Sequence, residues 1–299
     1  MSAEKVSLAA YPGNRHGAVS YTFDDGAQNS DIIITMFNEQ NLKASFYVIA
    51  DKISTAQWEM WLTASQKGHE IGSHSSTHIL LDNPALTDSE IHHEVVDSQQ
   101  SIATHIGIKP ESFAFPGNKY NDKTLAEVKK YYISARFPME LNGPNYNVYY
   151  LTSTTTALDI NHVLDKTAQI GNWVVFAGHS IDGAGYSPIP SSELTESLKY
   201  TAALSSTLWI DTFVNIAKYR ICRNTAQIQI TPTSAMEGTL TIDTKYPDMC
   251  TFPMTITIND TNVGASGRLH IQSSSTATSS QDVRLLDVSP LRPQKIYFQ

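Results

Sequence analysis

Two adjacent carboxylates, Asp24 and Asp25, followed by Gly26, close an apolar run at residues 18–23. Two neighbouring carboxylates cannot both ionise cheaply in a pocket, because each raises the pKa of the other unless a cation or a metal intervenes. The pair is therefore either a metal-associated site or a solvated Asp-Asp-Gly turn, since Asp and Gly both favour turns. About fifty residues further on, His74 and His78 stand four apart in Gly68-His69-Glu70-Ile71-Gly72-Ser73-His74-Ser75-Ser76-Thr77-His78. On one helical turn, positions i and i+4 share a face, so both imidazoles can reach a single ion. Two imidazoles and one carboxylate leave positions open for water and substrate, which suits a catalytic zinc or a related divalent ion.

Strands and helices must bring these groups together. Residues 18–23 are β-branched and aromatic and stop at a turn residue, so they predict a buried strand. Further strands are predicted at 44–49, 70–74, 112–115, within 131–137, at 148–151 and at 173–177. Helices are predicted at 30–40, capped by Asn29 or Ser30, and from Thr55 to the region of Gly68. A third runs from the capping box Thr87-Asp88-Ser89-Glu90 to Gly107. Others lie around Leu125, at 162–170, 191–204 and 206–221. This alternation from 18 to about 221 predicts an α/β sheet or barrel of parallel strands. The polar residues recur at the carboxyl ends of its strands, where such folds place their sites. After Asn224 the pattern changes to period two, broken by Gly, Pro, Asn and Asp, which predicts a small, sandwich-like all-β module. The expected division is 1–221 and 222–299. Residues 273–280, rich in Ser and Thr, predict a loop or hairpin tip.

The chain has 299 residues, 41% hydrophobic and 17% charged, with a net charge of −8. That composition is globular. An acidic balance argues against phosphate-backbone contacts, so no nucleic-acid partner is expected. No apolar run approaches a membrane span, and no signal peptide is visible at the start. Cys222 and Cys250 are too few for a disulfide framework and are either one bridge or two buried thiols.

Together, Thr22-Phe23-Asp24-Asp25-Gly26 and His74-Ser75-Ser76-Thr77-His78 resemble the first two motifs of the polysaccharide deacetylases, the NodB-homology proteins of carbohydrate esterase family four. The resemblance covers about 18–221. It implies a distorted (β/α)7 barrel that removes acetyl groups from sugars with a divalent metal: zinc, or cobalt or nickel in its place. Carried over by position, Asp25, His74 and His78 would bind the metal and Asp24 would be the general base. Phe113-Ala114-Phe115-Pro116-Gly117-Asn118 falls at the third motif, where the family carries an arginine that pairs with the base. Here Ala114 takes that place, and the Gly117 N–H would hold the oxyanion. Pro116 and Asn118 on this turn, and Tyr186 on the glycine-rich loop 181–188, would line the sugar cleft. Trp173-Val174-Val175-Phe176-Ala177-Gly178-His179 resembles the fifth motif, with His179 as general acid. An acid should orient that histidine, and Asp159 is the first choice, Asp182 the second.

The expected reaction is N-deacetylation of a GlcNAc-containing polymer or oligomer such as chitin or peptidoglycan. Variants are an O-acetyl xylan esterase, a small-amide hydrolase, or a sugar-binding protein that kept the metal and lost turnover. The resemblance also implies a secreted or periplasmic protein, with an acetylated carbohydrate as its partner.

Overall fold

A computed structural model describes residues 6–26, 28–137, 146–234, 237–259, 269–271, 279–280, 283–290 and 292–298. The chain divides into two compact units, Gly17–Ala217 and a second unit made of the residues up to His16 with those from Lys218 on.

After β1 (Val6–Leu8), the larger unit begins with β2 (Gly17–Asp25) and continues through β3 (Ser45–Val48), β4 (Glu70–Ser73), β5 (Ser112–Ala114), β6 (Ser134–Arg136), β7 (Tyr146–Tyr150) and β8 (Trp173–Gly178). These seven form one sheet in the order β6-β5-β4-β3-β2-β8-β7, and every pairing is parallel. Parallel strands covered on both faces lose the in-out alternation and become continuously apolar. The central β2 is buried at every residue except Asp25, and β8 throughout. Aromatic rings fill the centre: Phe23 lies 5.7 Å from Phe46, Phe46 5.2 Å from Trp61, and Tyr21 4.8 Å from Phe176. The core therefore lies directly beneath the carboxyl end of β2, which holds Asp24 and Asp25 rigidly.

The connecting helices are α1 (Ser30–Glu39), α2 (Thr55–Gln66), α3 (Asp88–His92), α4 (Ser98–Ile106), α5 (Asp122–Tyr131), α6 (Ala157–Ile170), α7 (Ser191–Ala203) and α8 (Phe213–Thr225). A single π turn, His93–Asp97, joins α3 to α4 without a break. Gly107, with φ of 71°, ends α4. Two expected caps differ. The helix expected from Thr55 is capped by Ser54 in a reciprocal box with Gln57, and Asn29 precedes α1 in a left-handed conformation without a side-chain cap. The segment expected as one helix at 206–221 holds a short strand first, β9 (Leu208–Ile210), paired with Gly17–Val19. Three residues are too few to show a strand period between two helical stretches.

The smaller unit contains β1 and β10 (Gln227–Pro232), β11 (Glu237–Asp243), β12 (Met254–Asn259), β13 (Leu269–Ile271), β14 (Ser279–Ser280), β15 (Val283–Val288) and β16 (Gln294–Phe298). They form two antiparallel sheets, β1-β12-β15-β14 and β10-β11-β16-β13. Its described core includes Leu240, Ile242, Met254, Ile256 and Val288. Cys222 and Cys250 form a disulfide with Cα atoms 5.7 Å apart, which settles a pairing that the spacing left open. Most of the 273–280 segment lies outside the described residues.

Candidate metal centre

Adjacent residues of a strand point to opposite faces, so Asp24 and Asp25 would ordinarily diverge. The backbone prevents this. Asp25 has φ of 72° and Gly26 has φ of 65°, two consecutive left-handed residues that turn the chain at the strand end. A non-glycine residue pays about 1–2 kcal/mol for that conformation. A Cβ at Gly26 would stand 2.9 Å from Ile53 Cδ1, a side-chain end that can shift, so it is the left-handed backbone that favours glycine at the second position. Both carboxylates consequently face one imidazole: His74 Nε2 is 3.8 Å from Asp24 Oδ2 and 3.6 Å from Asp25 Oδ1.

His74 follows β4 directly, and its N–H bonds Val48 O at 2.9 Å. The segment that carries the two histidines is a loop and not the helical turn that their spacing suggested. Ser75 (φ 68°) and His78 (φ 72°) fold it back, so that four residues return the second ring beside the first. The ring centroids are 4.8 Å apart, and His78 Nε2 is 3.6 Å from Asp25 Oδ1.

His74 Nδ1 donates to Ala114 O at 2.8 Å, which fixes the tautomer and leaves the Nε2 lone pair facing the carboxylates. Burial lowers the His74 pKa; Asp24 opposes this and Arg136 adds to it, so the ring stays in the neutral form that a metal needs. Among the described residues, the buried Asp25 Oδ1 has no hydrogen-bond partner. One ligand atom each from Asp25, His74 and His78 lie within 4.8 Å of one another. Ligands about 2.1 Å from a tetrahedral zinc would stand about 3.4 Å apart. The two 3.6 Å separations are close to that value, and the donor set fits a divalent ion.

Asp24 has a different partner. Arg136, the last residue of β6, is 2% exposed and grips Asp24 with both terminal nitrogens. Nη1 lies 2.7 Å from Asp24 Oδ1, and Nη2 donates to Oδ2. Nη1 also reaches Thr22 Oγ1 at 2.9 Å, and the guanidinium carbon stands 5.3 Å from the centre of the Tyr47 ring. Burial pushes the Asp24 carboxyl up, but Arg136 and then His74 outweigh it and hold the pKa at about 2. Sequence reasoning missed Arg136. In the sheet it is registered beside Ala114, the residue at the position where the family arginine was expected. Residues in register on neighbouring strands present their side chains to the same face. The cation therefore reaches Asp24 from one strand over, alongside a residue small enough to leave it room. The available signal was a lone arginine ending a short strand that proves fully buried, Ser134-Ala135-Arg136.

His179 follows β8. Its ring stands T-shaped to the exposed Tyr186 ring with centroids 4.9 Å apart, and its buried Nδ1 has no hydrogen-bond partner among the described residues. Neither acid expected to orient it does so. Asp159 is exposed and closes a capping box at the start of α6, where Oδ2 accepts from Thr156 N at 2.9 Å and Oγ1 at 2.7 Å. The pattern Thr156-Ala157-Leu158-Asp159 carries that capping signal, and α6 accordingly starts at Ala157 and not at the expected 162. Asp182 Oδ1 accepts from Ser191 N at 2.8 Å. Pro116, Gly117 and Asn118 form the turn after β5, with Gly117 at φ 58°. Asn118 Nδ2 donates to the Tyr150 hydroxyl at 3.0 Å, which joins the turn to the end of β7.

An all-parallel sheet with paired acids, two histidines and a third at the carboxyl ends of its strands defines the larger unit as a NodB-type (β/α)7 fold. A solved structure from Mycobacterium smegmatis, assigned to the polysaccharide deacetylases, has the same fold, with a TM-score of 0.56, 14% identity and coverage of 71% of this chain and 93% of that one. Residues 12–135 match the family model for polysaccharide deacetylase. A family 4 acetyl xylan esterase from Clostridium thermocellum, solved with a cobalt ion, is similar at 19% identity and a TM-score of 0.48, over 67% of this chain and 89% of that one. A gellan lyase from a Bacillus species is 25% identical over an alignment 290 positions long that covers 85% of this chain and 11% of that protein. This chain thus spans about a tenth of the length of that relative.

Proposed function

We propose that the larger unit is a metal-dependent hydrolase that removes acetyl groups from carbohydrate, most directly the N-acetyl group of a glucosamine-containing polymer or oligomer. The observation that carries the reading is a carboxylate kept ionised by a buried arginine, beside a His–His–Asp triad whose aspartate oxygen has no hydrogen-bond partner among the described residues. Asp25, His74 and His78 would hold the ion. A divalent cation there supplies Lewis acidity, which polarises an acyl oxygen and acidifies water. Asp24, ionised at neutral pH, takes the proton of the attacking water. The Gly117 N–H donates to the oxyanion. His179 gives a proton to the departing amine, or to the alkoxide of an O-acetyl substrate. Tyr186 against His179, and Asn118 with Tyr150, present polar and aromatic surface to a sugar ring.

The alternative of a metal-retaining sugar-binding protein rested on the missing arginine, and Arg136 supplies that cation. The disulfide supports an oxidising, extracytoplasmic location. No helix among the described residues is long and apolar enough to cross a membrane.

The test is acetate release from acetylated chito-oligomers, peptidoglycan glycan and acetylated xylan, with zinc or cobalt added and after chelation. Release should require the metal and should fall by about 10²–10⁴-fold in Asp24→Asn. Metal-loaded protein that binds these sugars and releases no acetate from any of them would replace the hydrolase with a binding protein.

A further inference from the structure

We propose that Glu94, on the π turn between α3 and α4, is a positioning residue that sets the affinity of the His74/His78 pair for its metal. The proposal rests on the metal reading above. Glu94 is 2% exposed, and both its oxygens are spent on one residue of the histidine loop. Oε2 accepts from the Thr77 N–H at 2.9 Å, and Oε1 accepts from the Thr77 hydroxyl. Thr77 lies between the two ligand histidines in the chain. Among the described residues Glu94 forms no ion pair. A buried carboxyl group without a counter-ion is expensive, so its place calls for a gain elsewhere.

The loop it grips is one that would not hold its own shape. Ser75 and His78 are both left-handed, a conformation of order 1–3 kcal/mol each that persists only when the surroundings over-determine it. The surroundings do so from three sides. Ala50 N and Asp51 N, beyond β3, bond Ser75 O at 3.1 Å and Ser76 O at 3.0 Å. Within the loop, the His78 N–H bonds Ser75 Oγ at 3.0 Å. From the helix, His93 O accepts from Ser76 Oγ at 2.8 Å while Glu94 holds Thr77. His93 and Glu94 are the first two residues of the π turn, a feature that occurs mostly as a single turn and often at functional positions. The wider turn buries the neighbours Glu94 and Val95 together. Glu94 therefore fixes where His78 returns relative to His74, and metal affinity depends on that separation.

The experiment measures the Co²⁺ dissociation constant of the metal-free full chain by visible absorption, alongside the melting temperature in chelator, for wild type, Glu94→Ala, Glu94→Gln and Thr77→Val. Glu94→Ala should weaken Co²⁺ binding by about 10–100-fold, as loss of a ligand's outer partner does. It should also alter the cobalt absorption bands of protein that the melting temperature shows to be folded. Glu94→Gln keeps an acceptor for the Thr77 N–H and a donor for its hydroxyl, so it should stay within a few-fold of wild type. A folded Glu94→Ala protein with unchanged affinity and bands overturns the proposal. If Glu94→Ala does not fold, Thr77→Val decides: weaker cobalt binding supports the proposal and wild-type affinity overturns it. Wild-type protein that binds no cobalt would remove the metal reading itself, a failure visible before any variant is compared.

Discussion

Arg136→Met offers the sharpest test of the site, because it removes a charge and leaves the strand-end volume filled. The side chains of Asp24 and Arg136 are 7% and 3% exposed, so neither has water to fall back on. Removing one partner of such a pair costs about 3–5 kcal/mol, because the other charge is stranded. At roughly 2–4 °C per kcal/mol for a unit of this size, the melting temperature of metal-free protein should fall by about 6–20 °C. The same substitution retunes Asp24. Burial raises that carboxyl and Arg136 is the foremost group lowering it to about 2. Losing a neighbouring guanidinium should raise the pKa, and with it the acidic limb of kcat/KM, by about 1–3 pH units. The linkage has the same sign. A carboxyl depressed from 3.8 to about 2 contributes stability above pH 3.8 that is lost as the pH falls towards 2. In Arg136→Met that acid-dependent loss should shrink. Denaturant unfolding across pH and a cycle with Asp24→Asn measure both effects. Coupling below 1 kcal/mol together with an unmoved acidic limb would refute the claim that Arg136 governs Asp24.

Three further outcomes are expected. Because Ala114 and Arg136 are in register, Ala114→Arg combined with Arg136→Ala should recover at least tenfold of the activity lost in Arg136→Ala alone, measured by acetate release. His69 Nδ1 accepts from Ala44 N at 3.2 Å, and burial, aided by Lys43 and Lys67, lowers its pKa to about 4. The unfolded chain therefore binds the proton first, and stability should fall by about 3 kcal/mol as the pH drops from 6.5 to 4, a slope that His69→Gln should flatten in unfolding experiments. Cys222→Ser with Cys250→Ser opens a closure of 28 residues, worth about 3.6 kcal/mol by the chain-entropy relation. It should lower the unfolding midpoint of the smaller unit and leave acetate release unchanged.

The strands that bear the acids and His179 were legible because fully buried parallel strands write themselves as apolar runs ending in turn residues. The grouping of Asp25 with His74 and His78 was legible from residue types, although the loop geometry behind it was not. A four-residue interval fits a helix and a doubly left-handed loop equally well, and only β4 running straight into His74 decides between them. Arg136 was illegible because its link to Asp24 is lateral: the register Ala114–Arg136 is a property of the sheet, not of either segment. Asp159 was misread for the opposite reason, since a purely local bond to Thr156 satisfies it before any distant histidine can. His179 is left without its expected orienting acid for the same reason.

The pairing of β1 with β12 bears on how the chain matures. Val6 lies opposite Ile258, so β1 must wait for a strand that is made only after the whole parallel sheet. During synthesis the parallel sheet can assemble while β1 stays unpaired, since domains form as units from the amino end. Trimming the chain ahead of Gly17 to isolate the sheet would leave β12 with a bare edge, the kind of template on which misassociation starts.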